Sequence, residues 1–231
     1  MARRCTVTDP LDLLQEGAAA LNLPLSPACL DQFRFYLTEL QRWNARVNLT
    51  GLRTDRDIIV KGFLDSLAVL PFLEPLDSLA DLGSGAGFPG LVLKLARPEM
   101  AVTLVEARAK KAAFLEYLIA SLRLTGMEVR SVHLTPALSR QWGPRFAGVV
   151  SRATFPLTRL MALAAPVLLP GGVLVALRGP RLDADDLETA QKRCQPLGLC
   201  SLEWHSYHLP ITGEPRLLVK AWRAEEAAAD N

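Results

Sequence analysis

The residues best suited to chemistry lie in Asp81-Leu82-Gly83-Ser84-Gly85-Ala86-Gly87-Phe88-Pro89-Gly90. A short apolar run (Leu76, Leu79, Ala80) precedes this stretch and another (Leu91, Val92, Leu93, Leu95, Ala96) follows it, so it reads as strand, glycine-rich turn and helix. Such a turn lets a ligand approach the backbone at the C-terminal edge of a parallel sheet. A dinucleotide fingerprint wants glycine at the first, third and sixth positions of the turn. Here glycines stand at 83, 85 and 87, and the sixth position is Phe88. Asp81 would repel a pyrophosphate and suits a ligand carrying positive charge. S-adenosylmethionine, with a sulfonium and an ammonium, has that character. Without a ligand the same residues would form a structural turn with a solvated acid.

A second acid stands at the right place to help. The strand predicted over 102–105 ends in Glu106, 23 residues after Gly83, where a carboxylate can accept both hydroxyls of a ribose. The same residue could instead cap the next helix. Lys110 and Lys111 open that helix, where cations oppose the dipole, which favours a binding role over a stabilising one. Lys61, Arg178 and Arg216 are candidates for phosphate contact, although each alone also reads as a solvated surface residue. Phe33, Tyr36 and Trp43 could stack bases, but the helical spacing of Phe33 reads as core. His133, His205 and His208 form no ligand pattern. Cys5, Cys29, Cys194 and Cys200 form no CxxC, so no metal is expected and the thiols read as reduced.

These residues need a scaffold. The chain has 231 residues, half of them hydrophobic, enough for one large domain or a domain with an appendage. Residues 10–70 read as helical. Ser26-Pro27 opens a helix whose buried face is Leu30, Phe33, Leu37 and Leu40. Asn48-Leu49-Thr50-Gly51 breaks it, and a further helix spans about 55–70. From residue 79 strands and helices alternate, with strands predicted over 79–82, 101–105, 127–132, 146–150, 172–177, 199–206 and 216–222. Helices fit 88–97, 109–124, 156–169 and 183–195. That alternation predicts a doubly wound parallel sheet. The expected organisation is a helical extension over 1–75, a catalytic domain over 76–223 and a flexible tail over 224–231.

Charge is nearly balanced at a net of +2, with −2 over residues 1–78 and +4 over the rest, so an anionic partner would meet the C-terminal part. Met1-Ala2-Arg3-Arg4 resembles the start of a signal peptide, but Asp9, Asp12, Gln15 and Glu16 interrupt any apolar region behind it. A cytoplasmic protein without a membrane partner is expected.

Several segments together resemble the bacterial ribosomal small-subunit (16S) RNA guanine-N7 methyltransferase family, also called the glucose-inhibited division protein B family. They are Asn48-Leu49-Thr50, Phe63-Leu64-Asp65-Ser66-Leu67, the glycine turn through Phe88-Pro89-Gly90, Lys110-Lys111, Ser151-Arg152-Ala153, Gly171-Gly172 before Arg178-Gly179, and Gly213-Glu214-Pro215-Arg216. They stand in family order over about 40–220. The resemblance implies an α/β fold with a class I, Rossmann-like methyltransferase sheet, helices on both faces and an N-terminal helical extension. It implies S-adenosylmethionine as donor and a guanine of small-subunit rRNA, free or in the small ribosomal subunit, as acceptor. By position, Gly83, Gly85 and Phe88 would hold the cofactor, with Leu134 and Thr135 at the adenine. Arg152 would be at the donor's polar end or the transfer site. The family usually has histidine at Gly62, Arg-Ala-Glu at His133-Leu134-Thr135 and lysine at Arg178. These departures leave the glycine turn intact.

The chemistry agrees with this expectation. Guanine N7 carries a lone pair and no proton, so its methylation needs positioning and no general base. Arg152 stays charged and cannot serve as a base. It could bind a carboxylate, a phosphate or guanine O6, or pair with Asp81 or another strand-end acid. The place after the fourth strand reads Val150-Ser151-Arg152-Ala153, without the Asn/Asp-Pro-Pro-aromatic motif of amine methylation. No cysteine nucleophile follows it before Cys194. The alternatives are a methyltransferase for a small molecule or protein, and a non-catalytic RNA-binding assembly factor. A monomer is expected.

Overall fold

A computed structural model describes residues 9–225, except 74, 153 and 182. The chain begins with helices. Asp9 caps α1 (Pro10–Ala20) by accepting from the Leu11 N–H, and Ser26 caps α2 (Pro27–Val47) by accepting from the Cys29 N–H. Each helix has proline in its first turn, where the missing N–H costs nothing. α2 stops at Asn48, which adopts the left-handed conformation at φ 52°.

The helix predicted over 55–70 is not uniform. It runs as α3 (Asp55–Asp57), a π-helical stretch (Ile58–Leu64), α4 (Asp65–Leu67) and a 3₁₀ turn (Leu70–Phe72). Ile58, Ile59, Val60, Phe63 and Leu64 of the π-helical stretch are all buried. The Ser66 hydroxyl bonds back to the Gly62 carbonyl at 2.6 Å.

The sheet contains β1 (Ser78–Leu82), β2 (Ala101–Val105), β3 (Met127–Arg130), β4 (Phe146–Arg152), β5 (Leu168–Arg178), β6 (Leu199–His208) and β7 (Pro215–Arg223), in the order β3-β2-β1-β4-β5-β7-β6. The helices between them are α5 (Gly90–Ala96), α6 (Ala109–Ser121), α7 (Pro136–Trp142), α8 (Leu157–Ala164) and α9 (Ala184–Cys194). Five strands are parallel, as alternation predicts. The all-parallel expectation fails at the end of the chain. β7 enters antiparallel between β5 and β6, because only a short turn, and no helix, joins β6 to β7. Helix α7 also escaped the sequence reading. It is only seven residues long, and Thr135 caps it by accepting from the Leu138 N–H. β5 begins at Leu168, earlier than expected, because α8 ends at Ala164.

Two apolar layers enclose the sheet. On one face Leu79, Leu104, Val150 and Val175 join residues of α5 and α6 and of the N-terminal helices, including Leu14, Phe33 and Phe63, in one continuous cluster. On the other face Ala80, Leu82, Val149 and Leu174 meet Leu157, Leu160 and Met161 of α8 and Ala190 of α9. The expected tail falls outside the described residues from 226 onward, as do Met1-Ala2-Arg3-Arg4, Cys5 and Ala153. Cys29, Cys194 and Cys200 are free thiols.

Candidate functional site

The glycine turn leaves the C-terminal end of β1, which lies between β2 and β4. The strand order reverses there, the place where open α/β sheets form a ligand crevice. Gly83 and Gly85 have φ of +79° and +59°, a region that favours glycine. At Gly83 a Cβ would lie 2.4 Å from Thr154 Cγ2. At Gly85 it would meet no heavy atom closer than 3.8 Å, the free space there being that of a cavity.

That cavity has a volume of about 370 Å³, in the range of small-molecule sites. It brings together Gly83, Gly85, Phe88, Glu106, Leu134 and Arg152, residues from the ends of four successive strand segments. Glu106 is buried, with one carboxylate oxygen accepting from the Gly85 N–H and the other from the Arg108 N–H, both at 2.8 Å. It therefore ties the glycine turn to the start of α6 and still has lone pairs for a ligand. The Thr135 side chain does not line the cavity. Its hydroxyl is spent on capping α7.

Asp81 departs from the sequence reading. It is fully buried and does not line the cavity. One of its oxygens accepts from the Gly90 N–H at 2.9 Å, and the other has no hydrogen-bond partner. Burial pushes its carboxyl up to about 7, against the opposing pull of the Gly90 N–H and the Arg152 charge. It ties the turn to α5 and does not face the cavity.

Arg152 pairs with Asp65, an acid in a helix and not at a strand end. Its Nη1 donates to the Lys61 carbonyl at 2.7 Å and lies 3.7 Å from Asp65 Oδ2, while the guanidinium stands 4.6 Å over the Phe88 ring. Asp65 is buried, accepts from the Tyr207 hydroxyl at 2.7 Å, and lies 3.9 Å from Arg216 Nε. Burial raises the Asp65 carboxyl, and these donors oppose the rise. The π-helical stretch supports the same cluster. A Cβ on Gly62 would come within 2.8 Å of Phe88 Cζ, so the absence of a side chain at 62 leaves room for that ring.

A second cavity of about 500 Å³ shares Thr50 and Arg152 with the first and continues along Lys61, Asp65, Arg178 and Arg216. Lys61 pairs with Asp57 and Glu214, and Arg216 with Glu214 at 3.0 Å, so both charges are engaged. Arg178 differs from them. Its Nη1 donates to the Phe155 carbonyl, but Nε and Nη2 are buried without a partner. Lys110 is exposed. Lys111 turns toward the first cavity and donates to the Leu49 carbonyl at 2.9 Å, and burial lowers its ammonium pKa. Asn44 completes this clamp, accepting from the Thr50 N–H and donating to the Leu52 carbonyl.

Sequence reasoning gave no role to Thr50, Asp65, Tyr207 or Asn44. The signal for Asp65 was an acid on an otherwise apolar helical face. For Tyr207, 142 residues away, no local signal existed. Of the residues read as base-stacking, Tyr36 is fully buried and donates to the Ala86 carbonyl, and Phe33 is core. Trp43 remains half-buried at the surface. Among the described residues no His, Cys, Asp and Glu cluster could hold a metal, and no helix is long and apolar enough to cross a membrane.

Comparison with known proteins agrees with this geometry. Residues 29–214 match the family described as rRNA small subunit methyltransferase G. The chain is 36% identical over 208 residues to ribosomal RNA small subunit methyltransferase G of Geobacter sp. (strain M21), covering 90% of this chain and 95% of that one. It is 41% identical over 213 residues to the protein of the same name from Deinococcus deserti, covering 90% and 86%. Among solved structures, an O-methyltransferase from Bacillus cereus in complex with SAH superposes with a TM-score of 0.60 at 15% identity. It covers 91% of this chain and 97% of that one, a likeness of fold alone.

Proposed function

The chain belongs to the rRNA small subunit methyltransferase G family, and from that premise we propose that it transfers a methyl group from S-adenosylmethionine to N7 of a guanine in small-subunit rRNA. The observation that carries this reading is the junction of the two cavities at Thr50 and Arg152. One cavity is a glycine-turn cradle with a ribose-accepting acid. The other is lined by Lys61, Arg152, Arg178 and Arg216, which outnumber the acids Asp57, Asp65 and Glu214 paired with them and so suit an anionic polymer.

The residues present fit the donor. The open space over Gly85 admits it, the free lone pairs of Glu106 accept its ribose hydroxyls, and Phe88 and Leu134 offer apolar walls. When bound, S-adenosylmethionine supplies an electrophilic methyl on a sulfonium. The protein's own task is to position the acceptor. Arg152, held by the Lys61 carbonyl, Asp65 and the Phe88 ring, stands where the two cavities meet and orients the base without moving a proton. Asp65 is engaged by Tyr207 and two arginines, which suits an acceptor nitrogen that needs no base. Arg178 lines the second cavity, where its guanidinium suits a phosphate or guanine O6.

The same reading takes the protein as cytoplasmic and as a monomer. The test is transfer of labelled methyl to unmodified small ribosomal subunits and to their deproteinised RNA, followed by borohydride–aniline cleavage. One cleavage site identifies the acceptor and the atom together. No incorporation into either substrate, with cofactor binding intact, would overturn the reading.

A further inference from the structure

A groove of about 270 Å³ shares no lining residue with the two cavities above. Its wall is one stripe of α2 (Glu39, Arg42, Trp43, Arg46 and Val47, at helical spacing), and Tyr117 of α6 closes it. The Trp43 and Tyr117 rings are 5.4 Å apart, and both are half-buried. Phe114 supports Trp43 from within at 5.5 Å, and Phe35 stacks on Tyr117 at 6.5 Å. Glu39 is only 7% exposed, and its Oε2 has no hydrogen-bond partner. Its other oxygen has only a long contact, 3.5 Å from Arg42 Nη1. Arg42 and Arg46 are exposed at the rim.

A buried carboxylate with an unsatisfied oxygen is costly, and an apolar side chain would pack there at less cost. A pair of supported aromatic rings beside arginines is the arrangement that holds unpaired nucleotides. We propose that this groove binds an unpaired guanine of the RNA substrate, at a site separate from the methyl-transfer site. The base lies on Trp43 and Tyr117, the Glu39 carboxylate turns out of its buried position and away from Arg42 to accept from its N1–H and N2–H, and Arg42 and Arg46 neutralise the flanking phosphates. Guanine is the one base of the four that presents two adjacent donors on its Watson–Crick edge, which is what a carboxylate needs. A basic peptide would meet two arginines against a single carboxylate. The groove also joins the site along the chain, because α2 ends at Val47 and Thr50 lines both cavities.

The inference rests on the RNA reading, and its test separates the two. Replacing Trp142, Trp204 and Trp222 by Phe leaves Trp43 as the sole tryptophan, whose emission is titrated with the single-stranded trimers UGU and UAU. Saturable quenching is expected, about tenfold tighter for UGU, and Glu39→Gln brings UGU down to the level of UAU. Trp43→Leu should raise the KM for deproteinised rRNA about tenfold, with kcat and cofactor affinity unchanged. If the triple variant does not fold, 19F NMR of the 5-fluorotryptophan-labelled natural sequence reads the same ring. A Trp43 signal indifferent to both trimers, a preference that survives Glu39→Gln, or a response to an arginine-rich peptide instead would overturn the proposal. Normal methyl transfer with a silent Trp43 sinks the groove alone. No transfer to RNA, with Trp43 still responding to UGU, sinks the acceptor reading and leaves the groove standing.

Discussion

Single charges in this site have been given single tasks by their neighbours. Glu106 bonds two backbone N–H groups and faces the cradle, so Glu106→Ala should weaken cofactor binding by about tenfold or more in calorimetry, the scale of a lost charged hydrogen bond. An unchanged affinity would remove it from the ribose position. Arg152→Ala should cut turnover at least a hundredfold while thermal unfolding stays cooperative, because the arginine's partners position it at the junction. Asp81 gives a prediction in pH. Its carboxyl titrates at about 7 when folded and at about 3.9 in an unfolded chain. Between those values the folded state holds a proton that the unfolded state lacks, so stability falls as pH rises through this window. Moving from pH 8 to pH 5 should therefore recover up to about 2.5 kcal/mol. Asp81→Asn keeps an acceptor for the Gly90 N–H and should flatten that dependence in urea titrations. Parallel slopes in the two proteins would show that another group is responsible.

At the scale of elements, the π-helical stretch and the glycine turn act as one unit. Gly62 leaves space for the Phe88 ring, Phe88 carries the Arg152 guanidinium on its face, and Tyr36 of α2 ties down the turn through the Ala86 carbonyl at 2.5 Å. Gly62→Ala places a methyl 2.8 Å from the tip of that ring. Overpacking of this kind costs about 1–3 kcal/mol, and here the strain falls on a ring in the cradle. The variant should therefore lose cofactor affinity as well as melting temperature, read by thermal shift with and without S-adenosylmethionine. A lowered melting temperature with the full cofactor-induced shift would show that Phe88 yields without disturbing the cradle.

For the molecule as a whole, the helical N-terminus does not carry a core of its own. Leu14, Phe33 and Phe63 belong to the same cluster as Leu104 of β2 and Val175 of β5. Unfolding should therefore be a single calorimetric transition. Phe63→Ala should lower that whole transition by about 3–5 kcal/mol and should not release a separate early phase. Two transitions would instead divide the chain near residue 75.

Local sequence was enough where local physics decides. Ser26-Pro27 announced α2, and the glycines at 83 and 85, which require left-handed backbone, announced the cradle and its place after β1. Alternation announced the parallel strands, and the motifs along the chain announced the family. What the sequence could not decide were the pairings made across distance. Asp81 reads as a ligand-facing acid until the packing of α5 buries it. Arg152 reads as a ligand contact or as the partner of a strand-end acid, and the fold sets it instead beside Asp65 of α4, which Tyr207 joins from 142 residues away. Lys61 and Arg216 read as free cations until Glu214 joins them. The position of β7 between β5 and β6 depends on which strand edge is left open, a property of the assembled sheet. A residue's type sets what it can bond. Only the assembled fold, by burying some groups and bringing distant ones within reach, sets what it does bond.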